Sequence, residues 1–179
     1  MLDEILSFNM EFVREESYAP FRATKYPGKK LAILSCMDAR LTELLPAALG
    51  LKNGDVNIIK NAGALITHPY GSVMRSLLIC IYELGIETIL VVGHDDCGMQ
   101  GIQLDSLVDR MLACGISGET LDDVRATIDL DRWLMGFSSI DASVRQTVSA
   151  IRSHPLVPSG IKVAGLVMDP ATGKVRLPA

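Results

Sequence analysis

The chain has 179 residues and a formal net charge of −4, which suits one domain with a hydrophobic core. The negative charge argues against nucleic acid as a main partner, because phosphate binding requires a basic surface. No apolar run reaches the roughly 18 residues of a membrane span, and the acidic first residues do not resemble a signal peptide. We therefore expect one cytoplasmic domain over residues 1–179, without a membrane or nucleic-acid partner.

Apolar side chains at helical spacing predict an N-terminal helix over residues 1–20. Strands and helices then alternate: strand 30–36, helix 40–50, strand 55–61, helix 71–85 and strand 87–94. Residues 99–153 are predicted to be mainly helical, and residues 161–177 to form a strand, a turn and a short additional strand. This alternation is typical of an α/β fold, with a mostly parallel central sheet of four to five strands flanked by helices.

Two stretches, "LSCMDARL" and "GHDDCGM", place chemically active side chains where predicted strands end. Cys36 ends the first strand, and His94 and Cys97 follow at the end of the third. Ligands of parallel sheets bind beyond the carboxyl ends of the strands, so these three side chains would converge if the two strands are neighbours. Thiolate and imidazole are the preferred ligands of zinc, which predicts one Zn²⁺ per chain. No second HxxC or CxxC pattern is available, so the fourth ligand is water or Asp38.

Asp38 and Arg40 lie at alternating positions beside the first cysteine, and can share one side of an extended segment. A guanidinium grips a carboxylate well and would keep Asp38 ionised and fixed in direction. Asp38 could then accept a hydrogen bond from a zinc-bound water, or bind the metal and close the site. Two thiolates neutralise the charge of the ion, so we expect the pKa of the water to fall less than at a three-histidine site, and activity to favour alkaline pH.

The remaining candidate residues have ordinary interpretations beside functional ones. Cys80 is predicted to lie in the core and Cys114 in the core or a loop. Trp133 is interpreted as a packing residue. His68 is a candidate proton relay, although a loop histidine is the simpler interpretation. Asp95 and Asp96 lie beside the candidate ligands, and one of them could orient His94, or both could be solvated loop carboxylates.

The motifs "CMDAR", "NAGA" and "GHDDCGM" together resemble the β-class carbonic anhydrases, over residues 30–101. The resemblance implies zinc on Cys36, His94 and Cys97, with Asp38 and Arg40 as the active-site dyad. It implies reversible hydration of carbon dioxide to bicarbonate by a zinc-bound hydroxide, and a small Gly63 that lets substrate approach the metal. It also implies a homodimer, or a dimer of dimers, with the N-terminal helix packed on the partner.

Three features depart from the family pattern. Lys60 stands where an arginine is common, Asp95 stands where serine or threonine is common, and residues 103–140 do not align with the shortest members. That segment could cover the entrance to the site. Two alternative functions therefore stay open: hydrolysis of carbon disulfide or carbonyl sulfide on the same site, and a non-catalytic zinc protein in which Asp38 closes the site. Nucleotide binding is disfavoured, because no GxGxxG or GxxxxGK[ST] motif is present.

Overall fold

A computed structural model describes all 179 residues and contains one five-stranded sheet. The strands are β1 (Leu31–Cys36), β2 (Val56–Asn61), β3 (Thr88–His94), β4 (Lys162–Met168) and β5 (Val175–Arg176). Their order across the sheet is β2-β1-β3-β4-β5, in which the first four strands pair in parallel and β5 pairs antiparallel with β4. The predicted fold class is confirmed, and β1 and β3 are neighbours as the convergence of the ligands requires.

Seven α-helices connect and flank the strands. They are α1 (Leu2–Arg14), α2 (Leu41–Ala48), α3 (Ser72–Leu84), α4 (Leu104–Ala113), α5 (Gly118–Thr127), α6 (Leu130–Leu134) and α7 (Ile140–Arg152). The region predicted to be mainly helical therefore contains α4 to α7. Gly85 ends α3 in the left-handed conformation, as expected of a glycine that follows a helix.

The N-terminal helix is shorter than predicted, and its side chains are not part of the buried core. It ends at Arg14, and Glu16 turns the chain with a φ of 53° before a short 3₁₀ turn at Ala19–Phe21. The predicted end at residue 20 was therefore too late, because the positive φ interrupts the helix. No residue of α1 is buried, although the helix is strongly amphipathic in sequence.

Both faces of the sheet carry buried side chains, as expected of parallel strands. On one face, strand residues such as Leu34 and Val91 pack against α3 and α7. On the other face, a smaller cluster joins the sheet to α2: Ile33, Leu41, Leu45, Val92 and Met168. Burial of each such side chain contributes about 1.5–3 kcal/mol, so the sheet is the rigid base on which the strand ends are held.

Helix α7 lies unusually close to the sheet at two glycines. A Cβ atom on Gly93 would lie 2.6 Å from Ile140 Cδ1, and one on Gly165 would lie 2.5 Å from Val144 Cγ1. Only glycine permits this approach. Because Gly93 directly precedes His94, the packing of α7 fixes the end of β3 where that histidine emerges.

The other cysteines and the tryptophan lie in different environments. Cys80 is buried in α3, as predicted, whereas Cys114 is exposed at the end of α4. The interpretation of Trp133 as a packing residue was wrong, because 58% of it is exposed on the short helix α6. None of the helices combines the length and the apolar character needed to cross a bilayer.

Candidate metal centre

Neighbouring strands bring together three side chains that could hold a metal ion. Cys36 is the last residue of β1, His94 is the last residue of β3, and Cys97 lies on the turn that follows. All three are buried, and their ligand atoms lie within 4.8 Å of one another. The two sulfur atoms are 3.8 Å apart. Two thiolates on one tetrahedral zinc, with bonds of about 2.3 Å, would be separated by about the same distance.

The His94 ring has one bonded and one free nitrogen. Its Nδ1 donates a hydrogen bond of 2.8 Å to the backbone carbonyl of Asp95, which accepts but cannot donate. The neutral imidazole therefore carries its lone pair on Nε2, which is buried and has no hydrogen-bond partner. A buried polar atom without a partner is costly, and a metal ion would satisfy it. Asp95 orients His94 through its carbonyl and not through its carboxylate, contrary to one predicted alternative.

The two thiols have different proton affinities. Burial alone would raise the pKa of Cys36, but the His94 ring in its protonated form and the backbone N–H groups of Asp38 and Gly63 lower it to about 7. Burial and the neighbouring sulfur of Cys36 raise the pKa of Cys97 to about 11. Metals bind the thiolate form, so ion binding must displace a proton from Cys97.

The Asp38 carboxylate is held beside the ligands by Arg40. Arg40 donates from Nε to Oδ1 at 3.0 Å and from Nη2 to Oδ2 at 2.8 Å, and its backbone N–H also reaches Oδ1 at 2.9 Å. These bonds lower the pKa of Asp38 to about 2, so the group is ionised at neutral pH. Its Oδ2 lies 3.8 Å from His94 Nε2. An ionised oxygen with a fixed direction therefore borders the ligand cluster.

Arg40 also holds the turn between the two later ligands. Its Nη1 donates to Asp96 Oδ2 and its Nη2 donates to the Asp96 carbonyl, both at 3.0 Å. Asp96 has a φ of 54°, a left-handed conformation that aspartate tolerates better than most residues. From the sequence, Asp96 is either a partner of His94 or a solvated loop carboxylate, and its contact with Arg40 was not predicted. The signal that could have found this contact is the pair of aspartates between two ligands.

Lys60 and Gly63 lie beside this network. Lys60 Nζ donates to the Asp38 carbonyl at 3.4 Å and to Thr42 Oγ1 at 3.3 Å, so a lysine at this position still supports the Asp38 segment. Gly63 is buried with a φ of 79°, and a Cβ atom there would lie 3.1 Å from Phe137 Cε1. This position therefore requires glycine for its backbone conformation and for close packing.

The segment 103–140 leaves the turn that carries Cys97 and returns to it. Phe137 donates its N–H to the Met99 carbonyl at 3.2 Å and accepts a hydrogen bond from Gly101 N–H at 2.9 Å. Together with residues 65–69, the stretch 128–136 lines a groove of about 720 Å³. His68 lines this groove, where its Nδ1 accepts a hydrogen bond from the Tyr70 N–H. A proton-relay role for His68 stays a prediction.

Comparison with known proteins identifies the family. Residues 31–175 match the carbonic anhydrase family. The chain is 48% identical over 178 residues to "Putative carbonic anhydrase YtiB" of Bacillus subtilis, covering 99% of this chain and 95% of that protein. It is 30% identical to a carbon disulfide hydrolase of Acidithiobacillus thiooxidans, covering 84% of this chain and 78% of that one.

A solved structure of a β-carbonic anhydrase has the same fold as this chain. The β-carbonic anhydrase isoform I of Trichomonas vaginalis superimposes with a TM-score of 0.90 at 35% identity, covering 99% of this chain and 96% of that one. The arrangement of the strands is thus that of a known group, and the chain belongs to the β-carbonic anhydrase family.

Proposed function

We propose that the protein is a zinc-dependent carbonic anhydrase that interconverts carbon dioxide and bicarbonate. The observation that carries this proposal is the buried cluster of Cys36, His94 and Cys97, whose ligand atoms lie within 4.8 Å of one another beside an ionised Asp38. Three ligands leave one position of a tetrahedral ion open, which is the pattern of catalytic zinc. The relatives named carbonic anhydrase support the same reaction.

The residues present fit one zinc ion per chain. Two sulfur atoms 3.8 Å apart and a buried imidazole nitrogen without a partner form a typical zinc donor set. A bound zinc ion would supply a hydroxide nucleophile near neutral pH by acidifying water. Two thiolates weaken this effect, so we expect activity to increase toward alkaline pH.

The Asp38–Arg40 pair would orient the reacting water. Asp38 accepts hydrogen bonds on both carboxylate oxygens from Arg40 and keeps its charge, so it can accept a further hydrogen bond but cannot donate one. The bidentate grip also opposes movement of Asp38 onto the metal, because that movement would break charge-assisted bonds. This favours an open site over the alternative in which Asp38 is a permanent fourth ligand.

The test is stopped-flow hydration of carbon dioxide by protein of known zinc content, from neutral to alkaline pH. We expect one zinc per chain and activity that increases with pH. Cys36→Ser should lose zinc, whereas Cys114→Ser, a change at an exposed cysteine, should keep it. Asp38→Asn should keep zinc and lose activity about 10²–10⁴-fold, the range for a lost acid–base contact. Full activity of Asp38→Asn would remove this carboxylate from the mechanism.

Hydrolysis of carbon disulfide is a second candidate function. The observation that favours it is the 30% identity to a carbon disulfide hydrolase. The same zinc-loaded sample should be assayed for sulfide release from carbon disulfide. Sulfide release without hydration of carbon dioxide would replace the first proposal. Failure of both reactions, with an X-ray absorption spectrum that shows carboxylate oxygen on zinc at every pH, would indicate a closed, non-catalytic site.

We propose that the protein forms a homodimer, or a dimer of dimers, through α1. Six large apolar side chains of this helix are more than half exposed: Leu2, Ile5, Leu6, Phe8, Met10 and Val13. Contiguous apolar surface of this kind usually marks an interface. Analytical ultracentrifugation should show at least a dimer, and Leu6→Lys should shift it toward monomer. A monomeric wild type at micromolar concentration would contradict this assembly.

We propose a cytoplasmic location, which the chemistry of the cysteines supports. All four cysteines are free, and two of them must remain reduced to bind the metal. Fractionation of the source cells with an antibody would test this placement.

A further inference from the structure

The turn between His94 and Cys97 is held by two arginines, and only one of them belongs to the predicted site. Asp96 bonds to Arg40, as described above. Asp95 bonds instead to Arg176 of β5, whose Nη2 donates to Asp95 Oδ1 at 3.1 Å. Nothing in the motif suggests this partner, because Arg176 lies 81 positions along the chain from Asp95.

Arg176 is itself fixed from a second side. Its Nη1 and Nη2 donate to the two carboxylate oxygens of Asp141, in the first turn of α7. Asp141 is further tied by a hydrogen bond of 2.7 Å from the backbone N–H of Ala179. The Arg176 guanidinium therefore links β5 to α7 and to the turn between His94 and Cys97. A guanidinium suits this role because it is planar and carries several N–H donors that can bind two carboxylates at once.

The contact reaches the proposed metal ligand through the backbone. Asp95 receives His94 Nδ1–H on its carbonyl at 2.8 Å, and its own N–H donates to the Met168 carbonyl at 2.9 Å. The side chain held by Arg176 and the carbonyl that orients the imidazole belong to the same residue. We propose that Arg176 is a positioning residue for the metal site, which holds Asp95 so that its carbonyl aims His94 Nε2 at the ion.

A positioning role and a purely electrostatic role of Arg176 predict opposite changes in the rate of zinc release. Loss of a positive charge near the site would, by Coulomb attraction alone, strengthen the binding of a cation and slow its release. Loss of an orienting contact would weaken binding, typically by 10–100-fold. The two effects have opposite directions, so the release rate identifies which one dominates.

The experiment measures zinc release from the full chain to a chromophoric chelator in excess. We expect Arg176→Met to release zinc roughly tenfold faster than wild type. Arg176→Lys keeps the charge but loses the fork, and it should also release zinc faster. Arg125→Met is the matched control, because it breaks an ion pair of similar exposure with Asp131 on α5 and α6. Its release rate should equal that of wild type.

A second readout follows the imidazole directly. In zinc-loaded protein with labelled histidine, the Nδ1–H signal of His94 should exchange with water faster in Arg176→Met than in Arg125→Met. A general loss of stability would change both variants in proportion to their melting temperatures. Unchanged release and exchange in Arg176→Met, or slower release, would overturn the positioning role.

The inference rests on the proposed zinc site, and the two can fail separately. If wild-type protein binds no zinc, the proposed function fails. If wild type binds one zinc per chain and both Arg176 variants release it at the wild-type rate, only the role of Arg176 fails.

Discussion

Replacement of Gly63 by alanine tests whether the site depends on a glycine backbone. Gly63 has a φ of 79°, which costs an L-residue roughly 1–2 kcal/mol. The new methyl group would also lie 3.1 Å from Phe137 Cε1 and 3.2 Å from Leu65 Cγ, a crowding that adds about 1 kcal/mol. The reduced entropy of the unfolded chain returns roughly 0.4–1 kcal/mol. We therefore expect Gly63→Ala to lower the free energy of unfolding by roughly 2 kcal/mol.

Gly85→Ala is the matched control for this substitution. Gly85 has a φ of 67°, but a Cβ atom there would meet nothing within 4 Å. Gly85→Ala has the conformational cost of the positive φ but no crowding, so we expect its free energy of unfolding to fall by roughly 1 kcal/mol or less. The difference between the two variants measures the crowding at Phe137 and Leu65.

The assay is equilibrium unfolding in urea of metal-free protein, with thermal melting as a second probe. A difference of 1 kcal/mol corresponds to about 2–4 °C in a chain of this size. If Gly63→Ala is no less stable than Gly85→Ala, the packing of Phe137 against Gly63 does not constrain the site. In that case, adding Phe137→Leu to Gly63→Ala should not restore any of the free energy of unfolding.

Three further changes test other contacts. Removal of zinc by a chelator should lower the melting temperature by roughly 10 °C. This is the stabilisation expected from an ion present at about a thousand times its dissociation constant. An unchanged melting temperature would contradict a structural contribution of the metal. Hydrogen bonds from Arg176 lower the pKa of Asp141 to about 2, below the value of 3.8 for a free carboxyl, so this pair stabilises the fold above about pH 4 and loses its effect as the pH falls toward 2. Asp141→Asn should cost on the order of 1 kcal/mol at pH 7, since the partly exposed pair is screened, and the deficit should shrink at pH 3; an equal deficit at both pH values would disagree. Gly93→Ala should cost about 1–3 kcal/mol because its Cβ would overlap α7, whereas Gly98→Ala, with nothing within 4 Å, should not, and equal urea midpoints would refute the close packing.

The predictions that succeeded depend on local patterns. Short apolar runs separated by helical segments predict a parallel sheet, since strands buried on both faces must be covered by helices. Cys36 and His94 each end such a run, so their meeting follows once β1 and β3 are known to be neighbours. The Asp38–Arg40 pair is local as well, because two residues at alternating positions need no tertiary contact to meet.

The predictions that failed concern the surfaces of helices. The end of α1 depends on the positive φ of Glu16, and Trp133 is exposed because α6 lies at the rim of the groove. The residues around Glu16 do not indicate a positive φ, and those around Trp133 do not indicate whether its side chain is buried or exposed. A large apolar residue is usually buried, but this tendency does not decide single positions.

The amino-acid sequence by itself determined the sheet, the family and the three side chains that can hold a metal, because periodicity and motif spacing act over short distances along the chain. Only the tertiary structure decided that Arg40 binds Asp96 and that Arg176 joins Asp95 to Asp141. These contacts link residues that are far apart in the chain. The physical reason is that an arginine has no preferred partner until the packing of strands and helices brings one carboxylate within reach of its guanidinium.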